Sequence, residues 1–238
     1  MFLVLLLCLF QSVEISYIMD TINFLKNIEL FSFLDDQQLE KISRRIKTKT
    51  VHKKIPIIIA GDTSSNLYII KEGSVKVAAS NDDGDEIILS TLQAGEIFGE
   101  LSLFDEEPRS ADVIAAEDCS LLILSRPDFL ELIDDNPKLA MQVIKYLCQR
   151  IRFTNKIAQS LALMDVYERL RVFLLQNASP EENGKRSINR PLSQREIAAN
   201  LGCGREIVCR ILKELQEGNY ITINHKIITI NKKLPQGR

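Results

Sequence analysis

Hydrophobic and polar positions change their period twice along this chain, and the changes divide it. Between residues 20 and 47 apolar and charged residues alternate at helical spacing, with Asp35 and Asp36 ahead of Leu39, Ile42 and Ile46. Two short helices are predicted there. From Val51 to Leu124 short β-rich runs take over, at Pro56–Ala60, Leu67–Ile70, Val75–Ala79, Glu86–Leu92 and Ser120–Leu124. Turn signals lie between or beside them at Gly61-Asp62, Glu72-Gly73, Asp82-Asp83-Gly84 and Ala94-Gly95, so that glycines fall every eleven or twelve residues. That rhythm predicts an antiparallel sheet closing into a roll or barrel.

Asn136-Pro137 then opens a long helix, proline being suited to a first helical turn. Ala140, Ile144, Leu147, Ile151, Thr154, Ala158 and Leu161 step by four and three residues, the a/d seam of a coiled coil. A stripe this narrow over three heptads predicts pairing with a second copy of the chain in preference to packing on its own domain. Thr154 is the polar exception, with Asn155 beside it; such a pair can set register at a subunit interface or face a ligand. Asp165 and Glu168 form an Asp-x-x-Glu capping pattern for a further helix to about Gln176, which makes Met164-Asp165 a hinge and a domain boundary. A polar loop, Asn177 to Asn189, follows.

Residues 192–220 carry the sharpest local pattern. Ser193 can cap a helix whose inward face holds Ile197, Ala198 and Leu201; Gly202-Cys203-Gly204 makes a turn; a second helix starts at Arg205 and packs Ile207, Val208, Ile211, Leu212 and Leu215 inward. Arg205, Glu206 and Arg210 are left pointing outward. This is helix-turn-helix spacing, in which residues near the start of the second helix reach base edges. Arginine suits the acceptors of guanine, and glutamate can accept from the cytosine amino group. Ile221–Ile223 and Ile227–Ile230 flank Asn224-His225-Lys226 as a β-hairpin, completing a winged helix.

Charge agrees with that division. The net charge is -2, yet from Arg190 to Arg238 there are nine Lys/Arg and four Asp/Glu, a balance of +5, which leaves -7 for the rest. A basic tail on an acidic body suits a polyanionic partner, although a solvated charged face would also give it. At 238 residues, 45% hydrophobic and 26% charged, the chain has material for one large domain or two modest ones. Its five cysteines form no CxxC pair and there are only two histidines, so neither a disulfide framework nor an iron–sulfur or zinc site is expected. The apolar run Phe2–Phe10 is too short to span a bilayer and lacks a basic flank. Met19 is the preferred initiator, with residues 1–18 an extension.

One stretch looks built for a small anion: Phe98-Gly99-Glu100-Leu101-Ser102-Leu103-Phe104-Asp105-Glu106-Glu107-Pro108-Arg109-Ser110-Ala111. Its glycine lets a ligand approach the backbone, its carboxylate can accept from sugar hydroxyls, and its arginine can pair a phosphate, a combination that suits a nucleotide.

Taken in order, β-roll, long helix and winged helix resemble the Crp/Fnr transcription regulators, specifically the cyclic-AMP receptor branch, over about Phe24 to Ile230. The resemblance implies an α+β protein with a cyclic-nucleotide-binding β-roll domain over residues 20–135, a dimerisation helix over 136–164 and a winged-helix DNA-binding domain over 165–238. It implies that Gly99 and Glu100 occupy the phosphate-cassette positions, with Glu100 on the ribose 2′-hydroxyl, and that Leu101 and Ser102 begin the short helix whose amides favour phosphate. Arg109 would pair the cyclic phosphate, Ser110 would add a hydroxyl, and Thr154 would contact the adenine amino group. Asn155 stands where the best-known member has serine, and the cassette is one residue shorter between Phe104 and Arg109. Arg205, Glu206 and Arg210 match the triplet associated with a TGTGA-type half-site; the Fnr branch usually has Glu-x-x-Ser-Arg there, and its N-terminal cysteine cluster is absent. Arg126 and Asp128 receive no ligand role.

The expectation is therefore a cytoplasmic homodimer, not an enzyme, that binds cyclic AMP and double-stranded DNA without a metal or a membrane, with the loop from Asn177 to Asn189 a possible contact for RNA polymerase. Three alternatives stay open: another cyclic nucleotide, a regulator active without ligand, and a cyclic-nucleotide-regulated enzyme or channel.

Overall fold

The β-rich centre of the chain folds into two four-stranded sheets, in a computed structural model that describes residues 15–81, 86–180 and 185–236. The expected turn at Asp82-Asp83-Gly84, the loop residues Asn183 and Gly184, and the first fourteen residues of the N-terminal extension lie outside the described residues. One sheet has the order β1 (Lys47–Val51), β8 (Cys119–Leu124), β3 (Leu67–Glu72), β6 (Ile97–Phe98). The other has the order β2 (Pro56–Ile58), β7 (Asp112–Ala115), β4 (Ser74–Ser80), β5 (Glu86–Gln93). β3 and β8 pair antiparallel at the middle of the first sheet, with Ile69 opposite Leu122, and both are near-continuous apolar runs because they are covered.

Helical residues 15–26 (α1), α2 (Asp36–Ser43), α4 (Arg126–Asp135) and the start of α5 (Pro137–Leu163) share a core with these strands; the remaining short helix, α3, spans Leu101–Phe104. Leu25, Leu39, Ile42, Leu122, Phe129 and Leu139 lie at its centre. Asp35 caps α2 in a capping box with Gln38, so the acidic pair ahead of Leu39 does mark a helix start. Ile18 is buried in the same core and Tyr17 packs against it.

Three strands of these two sheets escape the sequence pattern. β1 reads Lys-Thr-Lys-Thr-Val and is exposed at four of its five positions, so no apolar alternation marks it; its register on β8 runs from Lys47↔Ile123 to Val51↔Cys119. Lysines on such an edge discourage further strand addition. β6 and β7 have only two and four residues, too few to show a period.

Along α5 only Leu139 and Val143 are buried, whereas Ile144, Ile151 and Leu161 of the a/d seam are 52%, 60% and 39% exposed. By packing, the chain forms two compact units: residues up to Val77 with Ser90–Ile151, and the β4–β5 tip (Ala78–Leu89) with the chain from Arg152 onward. The second unit contains α6 (Val166–Asn177), β9 (Arg186–Ile188), α7 (Gln194–Leu201), α8 (Arg205–Glu217), β10 (Ile221–Asn224) and β11 (Ile227–Ile230). Asp165 caps α6 by accepting from the Glu168 amide at 2.8 Å. Leu170, Leu174, Ile197, Val208, Leu212 and Ile228 form its core.

The predicted hairpin is present, with His225 and Lys226 both at positive φ, as a two-residue turn matched to strand twist requires. The stretch expected to be a loop from Asn177 to Asn189 instead contains β9, a third wing strand that pairs Ser187 with Thr229. Three residues whose partner is distant in sequence leave no local signature.

Candidate nucleotide site and DNA-reading face

Strand β6 delivers the chain to the candidate cassette. Phe98 stacks on Tyr68 across the β3–β6 pair, with ring centroids 5.0 Å apart, and Gly99 follows at φ +80. A side chain at 99 would collide with its surroundings: a Cβ there would stand 2.6 Å from Arg109 Nη1 and 3.0 Å from the Asn66 carbonyl. Glycine is required for both reasons. Glu100 then takes the N-cap position of α3.

Arg109 reaches back into this bend. Its Nη1 donates to the Gly99 carbonyl at 2.7 Å, Nη2 to the Asn66 carbonyl at 2.8 Å and Nε to Ser64 Oγ at 3.1 Å. Its own backbone is fixed by Gly61 N–H donating to its carbonyl and by its amide donating to the Asp62 carbonyl, each at 2.8 Å. The guanidinium also lies 5.8 Å from the Tyr68 ring centre, within reach of a cation–π interaction.

Two opposite charges are thus held out of water. Arg109 is 4% exposed and Glu100 7%. Burial pushes the Glu100 carboxyl above its ordinary range, against the opposing pull of its backbone hydrogen bond and of Arg150 and Arg109. Burial also lowers Arg109, with Tyr68 and Glu100 acting in the opposite direction. Burying two charged groups without pairing them directly to each other costs free energy, so their presence points to a task other than holding the fold together.

The structure gathers Gly99, Glu100, Ser102 and Arg109 in one place; Ser102 Oγ donates to the Ser64 carbonyl at 3.4 Å. Leu101 and Ser110 are exposed beside them. Thr154 and Asn155 are exposed on α5, within the other packing unit.

Several participants were not anticipated. Ser64 and Asn66 belong to the polar run Thr63–Asn66 before β3, whose composition could have signalled a role. Tyr146 and Arg150 sit one helical turn apart on α5, and Thr154 follows four residues later. Tyr146 donates to the Ile97 carbonyl at 3.0 Å, and its hydroxyl is raised by burial and then by Glu100. Arg126 supports the cassette from behind: Nε donates to the Leu103 carbonyl at 2.8 Å, and Nη2 pairs with Glu106. Asp128 contacts Ser125 and Arg45.

In the second unit, Ser193 Oγ accepts from the Glu196 amide at 3.0 Å and caps α7, and Gly202 ends that helix at φ +60. α8 begins at Arg205 and buries Val208, Ile211, Leu212 and Leu215. Arg205, Glu206 and Arg210 are exposed, and Cys209 shares their side of the helix. A cavity of about 420 Å³ lies next to this face, with Arg195, Arg205 and Lys226 around Leu212 and Ile228. Among the described residues no group of three or more His, Cys, Asp or Glu could hold a metal ion, and no helix is long and apolar enough to cross a membrane.

Comparison with known proteins places both regions. Residues 48–136 match the cyclic nucleotide-binding domain, and residues 168–233 match the Crp-like helix-turn-helix domain. The chain is 34% identical over 180 residues to the cAMP-activated global transcriptional regulator CRP of Haemophilus influenzae, covering 74% of this chain and 80% of that protein. It is 30% identical over 203 residues to the cAMP-activated global transcriptional regulator Vfr of Pseudomonas aeruginosa, covering 82% and 94%. In fold it is similar to the c-di-GMP responsive global regulator CLP of Xanthomonas campestris, with a TM-score of 0.74 at 24% identity over 84% of this chain and all of that one.

Proposed function

The chain belongs to the Crp/Fnr family of cyclic-nucleotide-responsive transcription regulators, and from that membership we propose that its ligand is cyclic AMP and that it acts as a homodimer on a TGTGA-type palindrome. It is a regulator and not an enzyme. The observation that carries the ligand assignment is the buried pair Arg109 and Glu100 on either side of the Gly99 bend. Arg109 spends three of its five N–H donors on protein oxygens. One N–H on each terminal nitrogen is left for the two exocyclic oxygens of a cyclic phosphate, a bidentate geometry that a diester monoanion can accept. Glu100 accepts from the ribose 2′-hydroxyl, and a neutral hydroxyl partner suits a carboxylate that burial already disfavours.

Thr154, with Asn155, is the proposed contact for the adenine edge. Because both residues lie on the helix whose exposed Ile144, Ile151 and Leu161 form the seam for a second copy, base recognition and dimer geometry act through one element. Ligand changes DNA affinity only by the difference in its affinity for the two conformations; each tenfold in DNA binding requires about 1.4 kcal/mol of that difference. Arg205, Glu206 and Arg210 are the proposed base-reading residues. A polymerase contact by the segment Asn177–Asn189 rests on resemblance.

Titration calorimetry with cyclic AMP, cyclic GMP and cyclic di-GMP tests the ligand assignment. Cyclic AMP is expected to bind with one site per chain, and Arg109→Leu is expected to lose at least tenfold in affinity while still folding and unfolding cooperatively. Preference for another nucleotide would replace the ligand named here, and unchanged binding by Arg109→Leu would refute the phosphate assignment.

A further inference from the structure

Arg169 stands on the first turn of α6, directly after the hinge at Met164-Asp165, and its side chain joins two helix ends. Nη1 donates to the Met164 carbonyl at 2.8 Å and to the Leu161 carbonyl at 3.5 Å, both at the C-terminal end of α5. Nε donates to the carbonyl of Leu201, the last residue of α7, at 2.9 Å. Each of those carbonyls belongs to a helix C-terminus, where the carbonyls lack intrahelical donors and the macrodipole is negative. One guanidinium serves both ends. Lysine carries the same charge but not the planar fork that holds two directions at once.

A second observation places the same two elements in contact. Gly202, the residue after Leu201 and the pivot of the helix-turn-helix, lies close against both: a Cβ there would stand 3.1 Å from Leu161 Cδ2 and 3.0 Å from Ile87 Cδ1, tighter than ordinary contact. The turn that aims α8 therefore rests on the last turn of α5 through packing as well as through Arg169.

We propose that Arg169 is a positioning residue for DNA recognition, fixing the angle between the end of α5 and the α7–α8 motif and thereby the separation of the two recognition helices in the dimer. Arg169 does not touch DNA in this role; it decides where Arg205, Glu206 and Arg210 arrive. The assignment rests on the dimeric, palindrome-reading function proposed above.

A role of this kind has a signature that general loss of stability lacks. One additional base pair between half-sites displaces them by about 3.4 Å, which a rigid joint detects and a loose one tolerates. Fluorescence anisotropy would measure full-length wild type, Arg169→Met and Arg169→Lys, each with saturating cyclic AMP, on a TGTGA-type palindrome, on the same palindrome with one added central base pair, and on one with a single substitution inside a half-site. Arg169→Met is expected to lose at least tenfold of the wild-type spacing preference while keeping half-site discrimination within twofold, and Arg169→Lys is expected to fall between. Wild-type spacing preference in both folded variants would overturn the proposal. So would parallel loss of both preferences, or failure of both variants to fold, since either makes Arg169 merely structural. A wild type that binds none of the duplexes would instead refute the DNA-binding assignment, and the positioning role with it.

Discussion

Replacing Gly99 by alanine should expose how the cassette is held. At φ +80 an alanine pays a left-handed backbone penalty of about 1–2 kcal/mol. Its Cβ would also lie 2.6 Å from Arg109 Nη1, far inside van der Waals contact, so the guanidinium must move and its 2.7 Å bond to the Gly99 carbonyl is lost. A hydrogen bond to a charged group contributes about 1.5–3 kcal/mol. Gly99→Ala should therefore destabilise the chain by roughly 2.5–5 kcal/mol in urea unfolding. In an Arg109→Leu background the left-handed backbone penalty and the crowding against the Asn66 carbonyl remain but the lost arginine bond does not, so the same substitution should cost about 1.5–3 kcal/mol less. The difference is the coupling measured by the double-mutant cycle, about 1.5–3 kcal/mol. A Gly99→Ala cost that is equal in both backgrounds would refute the claim that Gly99 exists to admit the arginine.

Because burial holds the Glu100 carboxyl above its ordinary 4.5, the folded state keeps a proton that the unfolded state has released, and stability falls as pH rises from about 4.5 through the raised value. Glu100→Gln should therefore gain on wild type across that window and hold its advantage above it; a difference independent of pH in urea melts would contradict the burial argument. Ile151 is 60% exposed on α5, and two copies facing each other would bury that remainder twice, at about 1–2 kcal/mol each. Ile151→Glu should weaken dimerisation by at least about tenfold in sedimentation equilibrium, and an unchanged dimer would remove Ile151 from the interface. Arg210→Ala should relax base preference at one half-site position by about 1–3 kcal/mol; uniform weakening across all sequences would reassign Arg210 to the DNA backbone.

The parts of the fold visible in the sequence are those whose cause is local. Ser193, Gly202 and the five inward apolar residues of α8 lie within 23 residues, so cap, turn and amphipathic face can be read together. The same holds for Asp165 before α6 and for the seam of α5. β1 and β9 are strands because of β8 and β11, partners far along the chain, and their own residues are polar or too few to show a period. The cassette divides in the same way. Gly99, Glu100 and Arg109 announce a nucleotide by residue type, but Ser64 and Asn66, which hold the arginine, Arg150, which acts on Glu100, and Tyr146, which Glu100 acts on, are brought there only by tertiary packing.

A ligand held by Glu100 and Arg109 is expected to govern what Arg205, Glu206 and Arg210 read. The most direct measurement is the affinity of the full-length chain for a TGTGA-type palindrome, at one fixed salt concentration, with and without saturating cyclic AMP. Affinity at least tenfold higher with the nucleotide, and lost along with that dependence in Arg109→Leu, is the predicted result. Equal affinity in the presence and absence of cyclic AMP would contradict it.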